Sequence, residues 1–262
     1  MSPLILVNTD GPVATVTLNR PEQRNAISYE MWREIGAAAS RLSEDKAVRC
    51  VVFRGAGDMA FSAGADIKDF PKHRYDSKSA ARYAEAAEGA MDAVERMPQP
   101  TLALVRGYCV GGGLELASCT DIRVASEGSK FGLPVQKIGV VAGYQEVRRI
   151  IRIAGLSATA YLIYGGRLIG HDEALRCGLV TLLVPEQQLE EETYRLAAEV
   201  ARGSPVAHAD HKAVLRKALE DPALATLSEE ERALQFRIFD SEDFREGSRA
   251  FIDKRPPRFP GR

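Results

Sequence analysis

The chain predicts an α/β protein, because β-rich runs alternate with helical stretches over the first half of the sequence and helices dominate the remainder. The run LILVNTDGPVATVTLN, residues 4–19, holds two β-rich segments around Asp10-Gly11, which predicts two strands joined by a tight turn. Arg20-Pro21 ends the second strand. Ser28 stands before YEMWREIGAAASRLSEDK, where Met31, Ile35, Ala38, Ala39 and Leu42 recur at helical spacing, so Ser28 is read as an N-cap. Residues 48–53 follow as a buried strand, closing a strand, helix, strand unit. The alternation continues with a polar helical stretch from about Ser79 to Met97, a Pro98-Gln-Pro100 breaker and a strand over Thr101–Val105. A glycine cluster, a short helix and a strand over Asp121–Ala125 come next.

After Gly143 the pattern turns helical, with segments at 144–155, 157–166 and 171–179, and then a short strand at 180–184. An amphipathic helix is expected from Glu186 to Arg202, another from Ser204-Pro205 through Leu219, and a final one from Ser228 to about Ile252. No repeat of solenoid period and no flexible linker interrupts the chain. The expected division is a core over residues 1–200 and a C-terminal helical region over 201–262.

Composition narrows the classes of function. Of 262 residues, 45% are hydrophobic and 7% aromatic, and 35 Lys+Arg against 36 Asp+Glu leave a net charge of −1. That balance supplies no broad basic field, so neither nucleic acid nor an anionic membrane is expected as a partner. The small basic tail KRPPRFPGR does not change this. No apolar run approaches the roughly 20 residues of a spanning helix, and the start MSPLILVNTDGP lacks the parts of a signal peptide, so a cytoplasmic protein is expected. Cys50, Cys109, Cys119 and Cys177 are scattered through apolar stretches without zinc-site spacing, and are read as reduced core thiols. His208 and His211 share a helix face but lack a third ligand nearby, so no metal is expected.

Two segments carry chemistry. Gly107-Tyr-Cys-Val-Gly-Gly-Gly-Leu-Glu115 lies between a buried strand and an apolar helix, and its consecutive glycines turn backbone N–H groups toward one point at a helix start. It lacks the Lys-Ser/Thr of a phosphate loop, and an oxyanion hole fits it better. Glu115 falls in the first turn of that helix among Leu114, Leu116, Ala117 and Cys119. One reading makes it a dipole-stabilising acid; the other makes it a desolvated general acid/base with a raised pKa. The second segment is Phe61-Ser-Ala-Gly-Ala-Asp-Ile-Lys68, whose small residues let another N–H face a ligand. Two such loops at the ends of buried strands supply the two donors of an oxyanion hole.

These residues resemble the enoyl-CoA hydratase/isomerase (crotonase) family. The blocks LNRPEQRNAIS at 18–28, FSAGADIK at 61–68, GYCVGGGLELASCTDIRVAS at 107–126, KFGLPVQKIGV at 130–140 and EGSRAFIDKRPPRF at 246–259 look like its signatures, in its order and over nearly the whole chain. The resemblance implies a crotonase-like (ClpP/crotonase) spiral of ββα units with a C-terminal helical trimerisation region, assembled as a homotrimer or a dimer of trimers. It implies an acyl-CoA thioester as ligand, with coenzyme A arriving as part of the substrate and no metal or separate cofactor. Carried over by position, the oxyanion donors are the N–H groups of Ala65 and Gly112, beside Gly111. Ala63, Asp66, Ile67 and Lys68 lie along the CoA moiety, and Arg24 sits in the loop that approaches its phosphates or adenine. Phe251 and Lys254 reach a CoA site, that of a neighbouring subunit included, or are plain surface residues of a terminal helix.

One departure from the pattern bears on the reaction. Hydratases of this family use two glutamates, one at the position of Glu115 and one in the block after F-G-x-P, where this chain has Val135. Acidic groups elsewhere in the following loop then become candidates, and Gly143, Tyr144 and Glu146 stand at the start of the next helix. Tyr144 is read as a pocket aromatic or a catalytic group, and Glu146 as a catalytic carboxylate or a first-turn acid paired with Arg148 or Arg149. The resemblance thus implies an enzyme that stabilises a thioester enolate, a hydratase-like lyase first. A one-base double-bond isomerase, a CoA-ester decarboxylase or C–C hydrolase, and a non-catalytic acyl-CoA binder are the alternatives.

Overall fold

A computed structural model describes residues 2–262. Strands β1 (Ile5–Asp10) and β2 (Val13–Leu18) form the expected antiparallel hairpin, with Asp10 opposite Val13. Helix α1 (Tyr29–Glu44) starts where Ser28 caps it, the side chain accepting from the Met31 N–H, and its five apolar stripe residues are buried together with Trp32.

Three strand, strand, helix turns follow. The first contains β3 (Cys50–Gly55), β4 (Ala60–Ser62), a short α2 (Phe70–His73) and α3 (Ser77–Glu95). The second contains β5 (Thr101–Val105), β6 (Tyr108–Val110) and α4 (Gly112–Ala117), and the third β7 (Ile122–Ser126), β8 (Lys130–Gly132) and α5 (Tyr144–Gly165). Then come β9 (Ile169–Gly170), α6 (His171–Arg176), β10 (Leu182–Val184), α7 (Leu189–Ala201), α8 (Pro205–Glu220), α9 (Glu229–Arg237) and α10 (Glu242–Ile252).

The first strand of each turn enters one sheet and the second strand enters another. The six-stranded sheet runs β1-β2-β3-β5-β7-β10, parallel from β2 onward, and the four-stranded sheet runs β4-β6-β8-β9. The result is the α/β spiral of ββα units. The large sheet buries Val51, Phe53, Ala103 and Val105 against α1 and α3 on one face, and Cys50, Val52, Leu102 and Leu104 against Leu189, Ala197 and Ala201 of α7 on the other. Burial on both faces explains why β3 and β5 read as continuous apolar runs rather than alternating ones. Each large side chain placed there contributes about 1.5–3 kcal/mol.

The expected elements shift in four places. Helix α3 begins two residues before Ser79, because Asp76 caps it in a reciprocal box with Ser79. The strand expected at 180–184 pairs only over Leu182–Val184. The single helix expected after Ser228 is two, since the chain tightens into a 3₁₀ turn at Ile238–Asp240 and Ser241 caps α10 by accepting from the Phe244 N–H. The entire four-stranded sheet escapes sequence reading, because strands of three residues are too short to show alternation.

Helices α8 to α10 dock on the spiral through Lys212, which donates to Asp121 and the Gln99 carbonyl, and through Arg49, which donates to the Phe259 carbonyl. Leu215, Leu219, Phe236 and Phe251 remain exposed on them, and Phe239 on the turn between α9 and α10. Among the described residues no helix is long and apolar enough to cross a membrane. Cys50, Cys109 and Cys119 are buried free thiols and Cys177 is a half-buried one. His208 and His211 bond the carbonyls of Val200 and Ala207.

Candidate active site

The small sheet decides where the loops go. Strands β4, β6 and β8 are parallel, with Ser62 beside Cys109 and Val110 beside Gly132. Their C-terminal ends therefore deliver residues 63–68, 111–115 and 133–146 to one edge, the usual place for a ligand in an open parallel sheet. A cavity of about 330 Å³ opens there, lined by parts of all three loops.

The first loop is braced from behind. Ala63 N–H donates to the Arg24 carbonyl, Ile27 N–H to the Gly64 carbonyl, and Asp66 N–H to the Ile27 carbonyl. Asn25, fully buried with φ 55°, ties this brace to the sheet: its side chain accepts from Arg20 N–H and donates to the carbonyls of Ala56 and Ala60. Between these bonds the Ala65 N–H has no partner among the described residues. The second loop lies against the first, and Gly113 permits it, since a Cβ there would stand 2.7 Å from the Ser62 carbonyl oxygen. Gly112 opens α4, so its N–H has no acceptor inside the helix. A Cβ built on Gly112 would lie 3.6 Å from Ala65 N and 3.7 Å from Glu115 Oε2. The backbone N of Ala65, Gly112 and the Glu115 carboxylate are thus close neighbours at the cavity.

Glu115 reaches the cavity from the first turn of α4. Burial, and after it the negative charge of Glu146, raises its pKa to about 8. At neutral pH it holds a proton that it can give up, the condition for acid–base chemistry. Glu146 enters from the first turn of α5, is buried, and keeps Oε2 without a hydrogen-bond partner among the described residues. The pairing with Arg148 or Arg149 does not form, because both arginines reach to Glu95 of α3, Arg149 to Asp92 as well, and Arg148 also to Glu220. The cavity contains two carboxylates, on two different helices.

The sequence model of the enoyl-CoA hydratase/isomerase family matches residues 8–262. The chain belongs to that family. Its curated relatives include the short-chain-enoyl-CoA hydratase of Clostridium acetobutylicum, 30% identical over 251 residues, covering 96% of this chain and 95% of the relative. The crotonyl-CoA hydratase of Syntrophomonas wolfei is 30% identical over 255 residues, 97% of each chain. Among solved structures, an enoyl-CoA hydratase/carnithine racemase from Magnetospirillum magneticum superimposes with a TM-score of 0.96 at 39% identity, over 100% of this chain and 97% of that one.

Within this enoyl-CoA hydratase/isomerase fold the residues named from sequence divide into two groups. Ala63, Ala65, Ile67, Gly111, Gly112, Glu115, Val135, Gly143 and Glu146 line the cavity. Arg24, Asp66, Lys68, Tyr144, Phe251 and Lys254 stand outside its lining. Arg24 rests its guanidinium 5.4 Å from the Tyr108 ring, and Asp66 pairs with Arg20 at 2.8 Å. Phe251 and Lys254 are exposed on the C-terminal segment. Tyr144 corrects the expectation of a pocket aromatic: it is 96% exposed. It precedes Glu146 by two residues, about 200° around the helix, so the turn that brings Glu146 inward carries Tyr144 outward.

Three lining residues carried no sequence signal of function. Trp32 and Tyr83, joined by a bond from the indole N–H to the phenol oxygen at 3.1 Å, form a wall, and Arg74 lies over the Tyr83 and Phe70 rings. Trp32 was readable only as the bulky neighbour of a helical stripe, and Arg74 as one charge in a polar segment.

Proposed function

We propose that the chain is an enoyl-CoA hydratase in which Glu146, rather than a residue at position 135, is the partner of Glu115. The observation that carries this reading is that Glu146, a buried carboxylate whose Oε2 has no hydrogen-bond partner among the described residues, lines the same cavity as the proton-bearing Glu115. Val135 lines that cavity and moves no proton. A second carboxylate on α5 supplies what the usual position lacks.

In this mechanism the thioester carbonyl oxygen accepts from the N–H groups of Ala65 and Gly112. A water oxygen bonds to C3 of the enoyl group as Glu146 takes one of its protons, and the C2–C3 π electrons move onto the carbonyl as an enolate. Each N–H donor aimed at that oxygen is worth roughly 10²–10³ in rate. Glu115 then delivers its proton to C2, giving the 3-hydroxyacyl thioester, and proton return from Glu146 to Glu115 resets the pair. Coenzyme A, the substrate's own carrier, lies along Ala63, Asp66, Ile67 and Lys68 toward Arg24, and no metal or further cofactor enters the reaction. The exposed apolar side chains of α8 to α10 support assembly as a homotrimer or dimer of trimers, with Phe251 and Lys254 facing a neighbour's CoA. A cytoplasmic enzyme of acyl-CoA metabolism fits this reading.

The test is NMR of crotonyl-CoA and a short panel of acyl-CoA thioesters in D₂O. Water addition with deuteration at C2 is expected, and its loss in both Glu115→Gln and Glu146→Gln. Double-bond migration without water addition would instead make the chain an isomerase. Full hydration by Glu146→Gln would remove Glu146 from the mechanism, and binding with no chemistry at all would point to a C–C cleaving enzyme or a binder.

A further inference from the structure

Among the described residues most buried and half-buried arginines are matched. Arg20 pairs with Asp66, Arg54 and Arg106 with Glu190, Arg149 with Asp92 and Glu95, and Arg123 donates to the carbonyls of Thr120 and Leu179. Arg74 and Arg216 are not, and of the two only Arg74 lines the cavity that holds Glu115. Its guanidinium lies 4.7 Å from the centroids of both the Phe70 and Tyr83 rings, and among the described residues it makes neither an ion pair nor a side-chain hydrogen bond. The two ring contacts hold the guanidinium in place, while its N–H groups keep no hydrogen-bond partner among the described residues.

Arg74 belongs to the cavity wall, in which the other ionisable groups are Tyr83, Glu115, Glu146 and, at the exposed rim, Lys137. The two carboxylates are taken up by the proposed proton transfers. The Arg74 charge is felt at Glu115 but no ion pair forms between them, and the rest of the lining is largely small or apolar, with Ala87, Val110, Val140 and Ala142 among it. A preorganised guanidinium without a partner, in a cavity of about 330 Å³, is a receptor for a planar anion on a short chain.

We infer that Arg74 receives a carboxylate carried by the acyl group, so that the preferred substrate is the CoA monothioester of a short dicarboxylic acid. The inference rests on the proposal that the cavity takes an acyl-CoA. It does not require the hydration step. A straight alkyl chain offers Arg74 no partner, whereas a carboxylate gains a charge-assisted, two-pronged bond to it.

Isothermal titration with glutaryl-CoA and butyryl-CoA tests it. Both are saturated and add no water, and they differ at the acyl end alone. Glutaryl-CoA is expected to bind wild-type protein roughly tenfold more tightly or better, with the ratio falling to near one in Arg74→Met and staying above one in Arg74→Lys. Equal or weaker binding of glutaryl-CoA by wild type, or a loss in Arg74→Met that is the same for both thioesters, overturns the inference. The wild-type comparison stands even if a variant misfolds. Because neither thioester is turned over, failure of the hydratase reading shows separately, as no water addition to glutaconyl-CoA or crotonyl-CoA by a protein that still discriminates the saturated pair.

Discussion

The Glu146 carboxylate occupies the space that a side chain at Gly143 would fill: a Cβ built on Gly143 would stand 2.2 Å from Glu146 Oε2. Gly143 has φ −69° and ψ 164°, extended backbone open to any residue, so its glycine is required by the neighbouring carboxylate and not by the chain path. The helix folds its own first-turn acid back over its N-cap and holds it at the cavity.

Gly143→Ala therefore displaces Glu146 without disturbing α5. The expected outcome is a fall in kcat of about 10² or more, the scale of a misplaced acid–base group, with far-UV circular dichroism and thermal midpoint close to wild type. Steady-state kinetics beside a thermal scan check it. An alanine variant of full activity would show that the carboxylate position is immaterial to turnover.

Glu146→Gln removes the negative charge that, after burial, raises the Glu115 pKa to about 8. The Glu115 carboxyl should then lose its proton at lower pH. Since hydration uses the protonated form, the alkaline fall in activity, expected near pH 8 in wild type, moves toward neutral pH in whatever turnover survives. Carbon NMR of labelled glutamate, titrated in both proteins, reads the shift directly.

Stability and activity oppose each other at Glu115. Its folded pKa of about 8 lies above the ordinary 4.5, so the folded state binds the proton more tightly than the unfolded chain. Stability is therefore present below the unfolded value and lost as pH rises through 8. Glu115→Gln carries no charge to bury, and should melt several degrees higher than wild type at pH 8.5 while differing little at pH 5, a gap on the order of 2–4 kcal/mol. Thermal scans at the two pH values check this, and equal midpoints at both would show that Glu115 ionises freely.

Gly112→Ala places a methyl group beside the proposed oxyanion site, 3.6 Å from Ala65 N and 3.7 Å from Glu115 Oε2. The expected loss is about 10² in kcat/KM or greater, the worth of one oxyanion donor. A Cβ there also approaches Trp32 Cζ2 to 3.2 Å, a tight contact that costs a modest drop in thermal midpoint. Inhibition by a saturated thioester should weaken less than turnover, because the site differs most for the charged enolate.

Much of the architecture was legible before folding. The hairpin at Asp10-Gly11, the Ser28 cap, the stripe of α1 and the buried run of β5 are local patterns, set by turn chemistry and apolar spacing within a few residues of each other. The same holds for the glycine loop, whose run of three implies close approach of backbone, and for Glu115, whose apolar neighbours imply desolvation. Other features were illegible for a shared reason. Strands β4, β6 and β8 have three residues each, and their pairing with distant partners, not their composition, makes them strands.

By itself the sequence determined the α/β class, the order of its helices and larger strands, and the two small-residue loops that meet at the cavity, because these depend on short-range geometry. Only the tertiary structure decided which carboxylate stands opposite Glu115. From sequence Glu146 was also a first-turn partner for Arg148 or Arg149, and it enters the cavity because α3 presents Asp92 and Glu95 to those arginines. Tyr144 was excluded and Arg74 brought in by the same kind of cause: helix rotation and the packing of rings from residues far apart in the chain fix where a side chain points, and no local pattern encodes them.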